Sequence, residues 1–266
     1  MKISLFTTIS DFKSNHYKES IMSYLDLADE VVIVDGSKYP KNEPLTEYAF
    51  IKLHDKVKIV YYEWPKEFKF DFIGQQFQRG YEACTGSWVL RCDIDYVFHE
   101  KDMKDIREQL ARVDLTNASA ASMLKYQYIH PSRYNLKSRT VVAVNKGMYG
   151  DRIKFDLGGD LCQPSLDGTL IANPPCLSIP FYNYEHMTKT EKAIREEIGR
   201  MDRAYRRSFD KPLYKGDTFE GWADMMRGRI EKAVPFDFEN HPKYIKETIK
   251  NLKPEQFGYS MFGYIE

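Results

Sequence analysis

Cysteine is scarce in this chain: four residues in 266, Cys84, Cys92, Cys162 and Cys176. None forms a Cys-x-x-Cys pair, and no histidine completes a zinc pattern, which argues against a disulfide-stapled scaffold or a zinc module. Reduced, structural thiols are the expectation. No apolar run approaches the ~20 residues of a membrane-spanning helix. Met1-Lys2 leads straight into Ile3-Ser4-Leu5-Phe6, too short an apolar stretch for a signal-peptide core. Net charge is missing as well, since 39 Lys+Arg balance 39 Asp+Glu. No global field therefore draws the chain to nucleic acid or to an anionic membrane. Internal repeats, low-complexity tracts and a convincing linker are also absent. The expectation is a soluble, cytoplasmic protein with no transmembrane segment.

What is present is a succession of apolar runs separated by helical patterns. At 42% hydrophobic residues the chain can bury a proper core, and 19 Tyr with 16 Phe offer packing or stacking surface. Lys2 to Thr8 reads as a first strand. A helix to about Leu27 follows, capped by Ser10 or Ser14, with Tyr17, Ile21, Tyr24 and Ala28 at helical spacing. Val31-Val32-Ile33-Val34 is a continuous apolar strand of the kind covered on both faces. Lys58 to Tyr62 gives a third strand, Ile73 to Ala83 a helix weakened by Gly74 and Gly80, and Trp88 to Cys92 a fourth strand. This alternation is the signature of a parallel sheet with right-handed crossovers.

Further along, Asp102 to Val113 reads as a helix. Ser119 to Tyr128 and Thr140 to Asn145 read as strands, with His130-Pro131-Ser132-Arg133 in a loop between them. Ile179 to Tyr184 is a last short strand. Thr188 and Glu191 match a capping box before a helix carrying Ile194, Ile198, Met201 and Tyr205 on one face, with Arg200, Arg203, Arg206 and Arg207 crowding its later turns. Beyond Pro212 the pattern gives helices over Gly216 to Val234 and Tyr244 to Leu252, and an aromatic tail that packs back. The expected division is a main domain over 1–210 and a helical extension over 211–266 packed on it.

The expected parallel strands all end in polar residues: Thr7-Thr8, Asp35-Gly36-Ser37, Glu63 and Asp93-x-Asp95. Ligands of parallel sheets bind beyond those carboxyl ends, near the point where strand order reverses. Residues i and i+2 of a strand face one side, so Asp93 and Asp95 converge if the strand persists; in a turn after it, both carboxylates still reach one cation. Hard ions such as Mg²⁺ or Mn²⁺ take carboxylate oxygens, keep waters and share the remaining positions with phosphates. An acidic turn without a ligand is the plainer reading of Asp-x-Asp alone, and the neighbouring strand ends favour a metal–diphosphate site.

Three stretches carry a resemblance: Val31 through Ser37, Gln75 through Arg79, and Gly86 through Asp95. Together they resemble glycosyltransferases of the GT-A fold, of the broad family 2 type, over residues 1–112 and more loosely to His186. The resemblance implies an α/β, Rossmann-like, mostly parallel central sheet flanked by helices, with a C-terminal helical extension. It implies a metal-dependent, inverting transfer from a nucleotide-diphosphate sugar to a glycan, lipid-linked sugar, protein or nucleic-acid acceptor. By the same resemblance Asp35 contacts base or ribose, and Asp93 faces ribose or sugar. Asp93, Asp95 and His186 hold Mn²⁺ or Mg²⁺, while Thr7, Arg79 and Lys189 join the donor contacts. Two departures stand out: Tyr96 where Glu is common after the acid pair, and Thr8-Ile9-Ser10-Asp11 in place of an Arg-Asn-Glu-like segment.

An inverting transfer needs a carboxylate to take the acceptor proton. Asp160, after the Gly158-Gly159 turn, is the expected base, with Asp156 and Asp151 competing. The segment Glu185 to Glu191 is expected to order over the donor. A nucleotidyltransferase is the nearest rival, but Thr7 to Asp11 lacks the glycine-rich loop that cradles a triphosphate. An inactive binding module is opposed by the intact Asp35, Asp93, Asp95 and His186. Only the arginine-rich helix favours nucleic acid as acceptor.

Overall fold

The computed structural model describes residues 1–9, 16–37, 54–155 and 163–263, without the side chains of 137 and 138. Strands β1 (Ile3–Ile9), β2 (Glu30–Asp35), β3 (Val57–Tyr61), β4 (Trp88–Arg91) and β5 (Tyr96–Val97) come from the first half. The long hairpin β6 (Ala120–His130) and β7 (Arg133–Asn145) follows. Three two-residue strands, β8 (Ile153–Lys154), β9 (Ser165–Leu166) and β10 (Thr169–Leu170), make a separate small sheet. Then come β11 (Phe181–Asn183) and β12 (Val234–Pro235). The main sheet runs β3-β2-β1-β4-β7-β6-β11-β5, with β12 paired to β7.

Pairing directions show that β1, β2, β3, β4, β6, β11 and β12 point one way, with β5 and β7 against them. The chain steps outward from β1 through β2 to β3, then crosses to β4 on the other side of β1. Strand order therefore reverses between β1 and β4, where a doubly wound sheet opens a crevice. This is the α/β arrangement that the GT-A resemblance implies.

Alternation along the central strands feeds two cores. Ile3, Leu5, Val31, Ile33, Trp88 and Leu90 face α1 (Tyr17–Leu27) and α3 (Met103–Asp114). Phe6, Val32 and Val89 face Phe77 and Tyr81 of α2 (Phe70–Ala83). Helix α1 ends where the Lys56 ammonium donates to the Leu25 and Ala28 carbonyls at 2.8 and 3.1 Å, satisfying acceptors that a helix end leaves open. His16 precedes it without a side-chain cap, and Ser10 and Ser14 lie outside the described residues. Helix α2 starts three residues earlier than its periodicity predicts, because Phe70 packs edge-on to Tyr205 at 5.4 Å.

Two corrections concern the second half. Strand β7 begins at Arg133, not Thr140, and only Pro131 and Ser132 separate it from β6. Its outer half carries Lys137 and Arg139, whose polarity hides the strand period. The cap of α4 (Glu191–Phe209) is Thr190, whose Oγ1 accepts from the Ala193 N–H at 3.3 Å, not Thr188. Helices α5 (Thr218–Glu231) and α6 (Lys243–Lys250) follow. Trp222, Met226 and Ile230 of α5 join Ile194 and Ile198 of α4, Ile129 of β6 and Phe257 in one cluster. Ile245 and Ile249 of α6 pack with Tyr128, Tyr182, Tyr184 and Met187. The described cysteines, Cys84, Cys92 and Cys176, are free thiols.

Candidate active site

Asp35 closes β2 opposite Ile9 of β1 and Tyr61 of β3, and is 2% exposed. Its Oδ1 accepts from the Ser37 N–H at 2.8 Å, the Asx turn that bends the chain out of the sheet. Gly36 donates to the Ile9 carbonyl at 2.8 Å and accepts from the Trp64 N–H at 2.9 Å. The Trp64 indole lies so close that a Cβ at Gly36 would collide with it. Gln76 of α2 is fully buried beside them and donates to the Tyr62 carbonyl. Three buried polar atoms here have no partner among the described residues: Thr7 Oγ1, Trp64 Nε1 and Gln76 Oε1. Each unsatisfied atom costs ~1–3 kcal/mol; Trp64 Nε1 and Gln76 Oε1 beside Gly36 mark a place for a polar ligand, whereas Thr7 shares the opposite face of β1 with Leu5 and Ile9. Arg79 sits further out on α2, 3.7 Å from Glu82 and with its guanidinium 5.3 Å from the centre of the Tyr62 ring.

Past the end of β4 the acid pair lies in a turn and not on a persisting strand. The Tyr96 N–H donates to the Asp93 carbonyl at 3.0 Å, and the Tyr24 hydroxyl of α1 reaches the same oxygen at 2.5 Å. Asp93 is half-buried and Asp95 buried. The Asp95 carbonyl accepts from the Tyr184 N–H at 3.0 Å and lies 3.3 Å from His16 Nε2, while Asn183 Nδ2 approaches its Oδ1 at 3.4 Å. Burial pushes the Asp95 carboxyl well above the ordinary range, and the Glu185 and Asp93 charges add to this against Lys189 and Lys125. Burial would raise Glu185 too, but His186, Lys125, Lys189 and Arg229 outweigh it and hold that carboxyl at about 2. The surroundings thus push the two carboxyls in opposite directions, Asp95 upward and Glu185 downward.

The segment after β11 is fastened, not solvent-facing. Lys189 is 4% exposed and donates to Glu197 Oε2 at 2.6 Å. The carbonyls of Met187, Thr188 and Lys189 accept from Gly258 N (2.9 Å), Gln256 Nε2 (2.7 Å) and Phe257 N (2.9 Å). His186 Nε2 lies 3.6 Å from Glu185 Oε1, and its ring meets Trp222 and Phe257 edge-on at 5.4 and 6.2 Å. Asn183 of β11 approaches Asp95 directly, and Glu185 and Lys189 act on it through their charges.

Among the described residues no three His, Cys, Asp or Glu side chains converge on a metal-ligating group. Asp93 and Asp95 nevertheless fit a hard divalent ion of the kind held by one or two carboxylates, waters and phosphates, as Mg²⁺ usually is. A cation beside them would also oppose the burial and the like charges that raise the Asp95 carboxyl. Asp160 and Asp156 lie outside the described residues, and Asp151 is exposed in the short turn Gly150–Arg152. Glu185 is the site carboxylate that sequence reasoning passed over. Its signal was a place at a strand end, hidden because the residues around it also read as the approach to a helix.

No protein-family model matches the chain and no curated protein matches it in sequence. Among solved structures it is similar to the 1–349 region of TarS from S. aureus, at 15% identity over 87% of this chain and 80% of that one, with a TM-score of 0.47. The UDP complex of that region aligns at 14% identity over 90% and 74% of the two chains, TM-score 0.43. Its UDP-GlcNAc complex aligns at 19% identity over 48% of this chain, which spans 35% of that one, TM-score 0.37. A nucleotidyl transferase from Methanothermobacter thermautotroptrophicus aligns at 14% identity over 54% and 71%, TM-score 0.33.

Proposed function

We propose that this chain is a metal-dependent, inverting glycosyltransferase that uses a nucleotide-diphosphate sugar. The observation that carries the reading is buried Asp95 beside half-buried Asp93 in the turn past β4, at the carboxyl edge where strand order reverses. Asp35, with Trp64 Nε1 and Gln76 Oε1 around the Gly36 turn, receives the nucleoside, and Thr7 of β1 joins it from the other face of the strand. Asp93 and Asp95 hold the divalent ion, which when bound supplies Lewis-acid stabilisation to the leaving diphosphate. Lys189 lends positive charge from the far side of Asp95, Arg79 borders the donor from α2, and His186 positions Glu185.

In the transfer, the bond from the anomeric carbon to the diphosphate oxygen breaks and its electron pair leaves with the diphosphate. The acceptor oxygen bonds to that carbon from the opposite face and gives up its proton to a carboxylate. Glu185, ionised and facing Asp95, is the carboxylate assigned here, and Asp160 is its competitor. Purified protein is to be screened with uridine, guanosine and adenosine diphosphate sugars for released nucleoside diphosphate, with and without Mn²⁺. Release with one base, dependent on Mn²⁺, is expected. No release and no nucleoside-diphosphate binding in any arm overturns the reading.

A further inference from the structure

Beside Glu185 two cations, Arg229 and Lys125, make no ion pair within 4 Å of a carboxylate among the described residues, although Lys189 by the same group is paired with Glu197. Arg229 of α5 is half-buried. Its NH1 reaches Gln127 Oε1 at 3.3 Å and Met226 Sδ at 3.7 Å. Gln127 in turn donates from Nε2 to Glu185 Oε2 at 2.8 Å, so one amide fixes both the guanidinium and the carboxylate. Lys125 lies two residues before Gln127 on β6, its ammonium 5.7 Å from the centre of the Tyr96 ring. Glu185 is the charge that both cations act on, but no carboxylate lies within 4 Å of either among the described residues. The N–H groups that Arg229 does not spend on Gln127 are therefore left to receive a further anion.

We propose that Arg229 and Lys125 bind a phosphate group carried by the acceptor substrate, placing the hydroxyl to be glycosylated at Glu185. The assignment rests on the glycosyl-transfer reading above. Arg229 feels the charges of Glu185 and Tyr214 and not those of Asp93 or Asp95, whereas Lys125 acts on both Asp95 and Glu185 and so stands between the acid pair and Arg229. The donor diphosphate belongs with the acids, and Arg229 lies beyond the carboxylate that takes the acceptor proton. A planar guanidinium with its remaining N–H groups, joined by a mobile ammonium, matches a tetrahedral oxyanion that accepts from several directions.

Calorimetry on the whole chain tests this, with the nucleotide site filled by the nucleoside diphosphate the donor screen selects, plus Mn²⁺. The probes are sn-glycerol 3-phosphate, a six-residue oligothymidylate and glycerol. At least one phosphate probe is expected to bind about tenfold or more tightly than glycerol. Arg229→Gln and Lys125→Gln should each weaken it about fivefold or more, and Arg229→Lys should retain part of the affinity. Tighter binding of the oligothymidylate assigns the phosphate to a nucleic-acid strand, and the reverse order to a polyol or sugar phosphate. Equal affinity for phosphate probes and glycerol, or phosphate binding that survives both substitutions, overturns the proposal. So does a loss of nucleoside-diphosphate affinity in these variants, which would give the two cations to the donor. A wild-type chain that binds no nucleoside diphosphate removes the acceptor assignment together with the transferase reading, and is told apart by that missing signal.

Discussion

At the scale of single residues, Asp95 is a group the fold tolerates at a loss. Its folded value lies above the ordinary carboxylate range, so protonated Asp95 favours the fold at low pH, and that contribution disappears as pH rises through the folded value. In chelator at pH 7 to 8, Asp95→Asn is expected to raise Tm, with the advantage shrinking toward pH ~4, while Mn²⁺-dependent nucleotide binding is lost. Scanning calorimetry across pH checks the first half and titration calorimetry the second. Glu185 behaves oppositely. Held at about 2 against an ordinary 4.5, it stabilises the fold above 4.5 and loses that contribution as pH falls toward 2. Glu185→Gln should therefore lower Tm at pH 7. It should also lower kcat by about 10²-fold or more if it is the proton acceptor, with nucleotide affinity largely kept. Asp35→Ala should weaken nucleoside-diphosphate binding by ~1–3 kcal/mol, as for a buried polar partner left unmatched. Equal affinity by calorimetry would place the nucleoside elsewhere.

At the scale of elements, the decisive pairing is between residues 187–189 and 256–258. Backbone hydrogen bonds from Phe257 and Gly258, with the Gln256 side chain, seat the strap that carries Glu185 and Lys189. Gly258 is required by close approach, since a Cβ there would run into the Met187 side chain and carbonyl. Gly258→Ala is expected to destabilise by ~1–3 kcal/mol through overpacking. The Phe257 and Gly258 amides should then exchange faster than those of β1 and β2. Unchanged exchange at both amides would show that Met187 moves aside without loosening the strap.

At the scale of the molecule, we propose that 211–266 folds as one unit with 1–210 and not as a detachable annex. Trp222, Met226, Ile230, Ile245, Ile249 and Phe257 are all buried against α4, β6 and β11. At ~1.5–3 kcal/mol for each fully buried large apolar side chain, removing them forfeits about as much as the 5–15 kcal/mol that typically holds a domain folded. The full chain should melt in one calorimetric transition with matching calorimetric and van't Hoff enthalpies. A chain ending at 210 should be soluble only in denaturant, and an independently folded 1–210 fragment would refute the single unit.

The sequence by itself determined the parallel half of the sheet. Continuous apolar runs such as Val31 to Val34 leave a strand buried on both faces as the only economical fate, and a polar residue at each strand end locates the crevice edge. It likewise determined that Asp35, Asp93 and Asp95 lie along that edge, because each follows its strand directly. Only the tertiary structure decided which side chains meet there. The partners of Asp95 come from residues 183–189, far along the chain, and strand order alone brings β11 beside β5. The same holds for Lys189, whose burial depends on Glu197 of α4, and for Thr190, which caps α4 while the Thr188 carbonyl is held by the Gln256 side chain. Local pattern records what a residue prefers. Long-range packing sets which carboxylate is desolvated, which keeps its proton, and which cations are left facing outward.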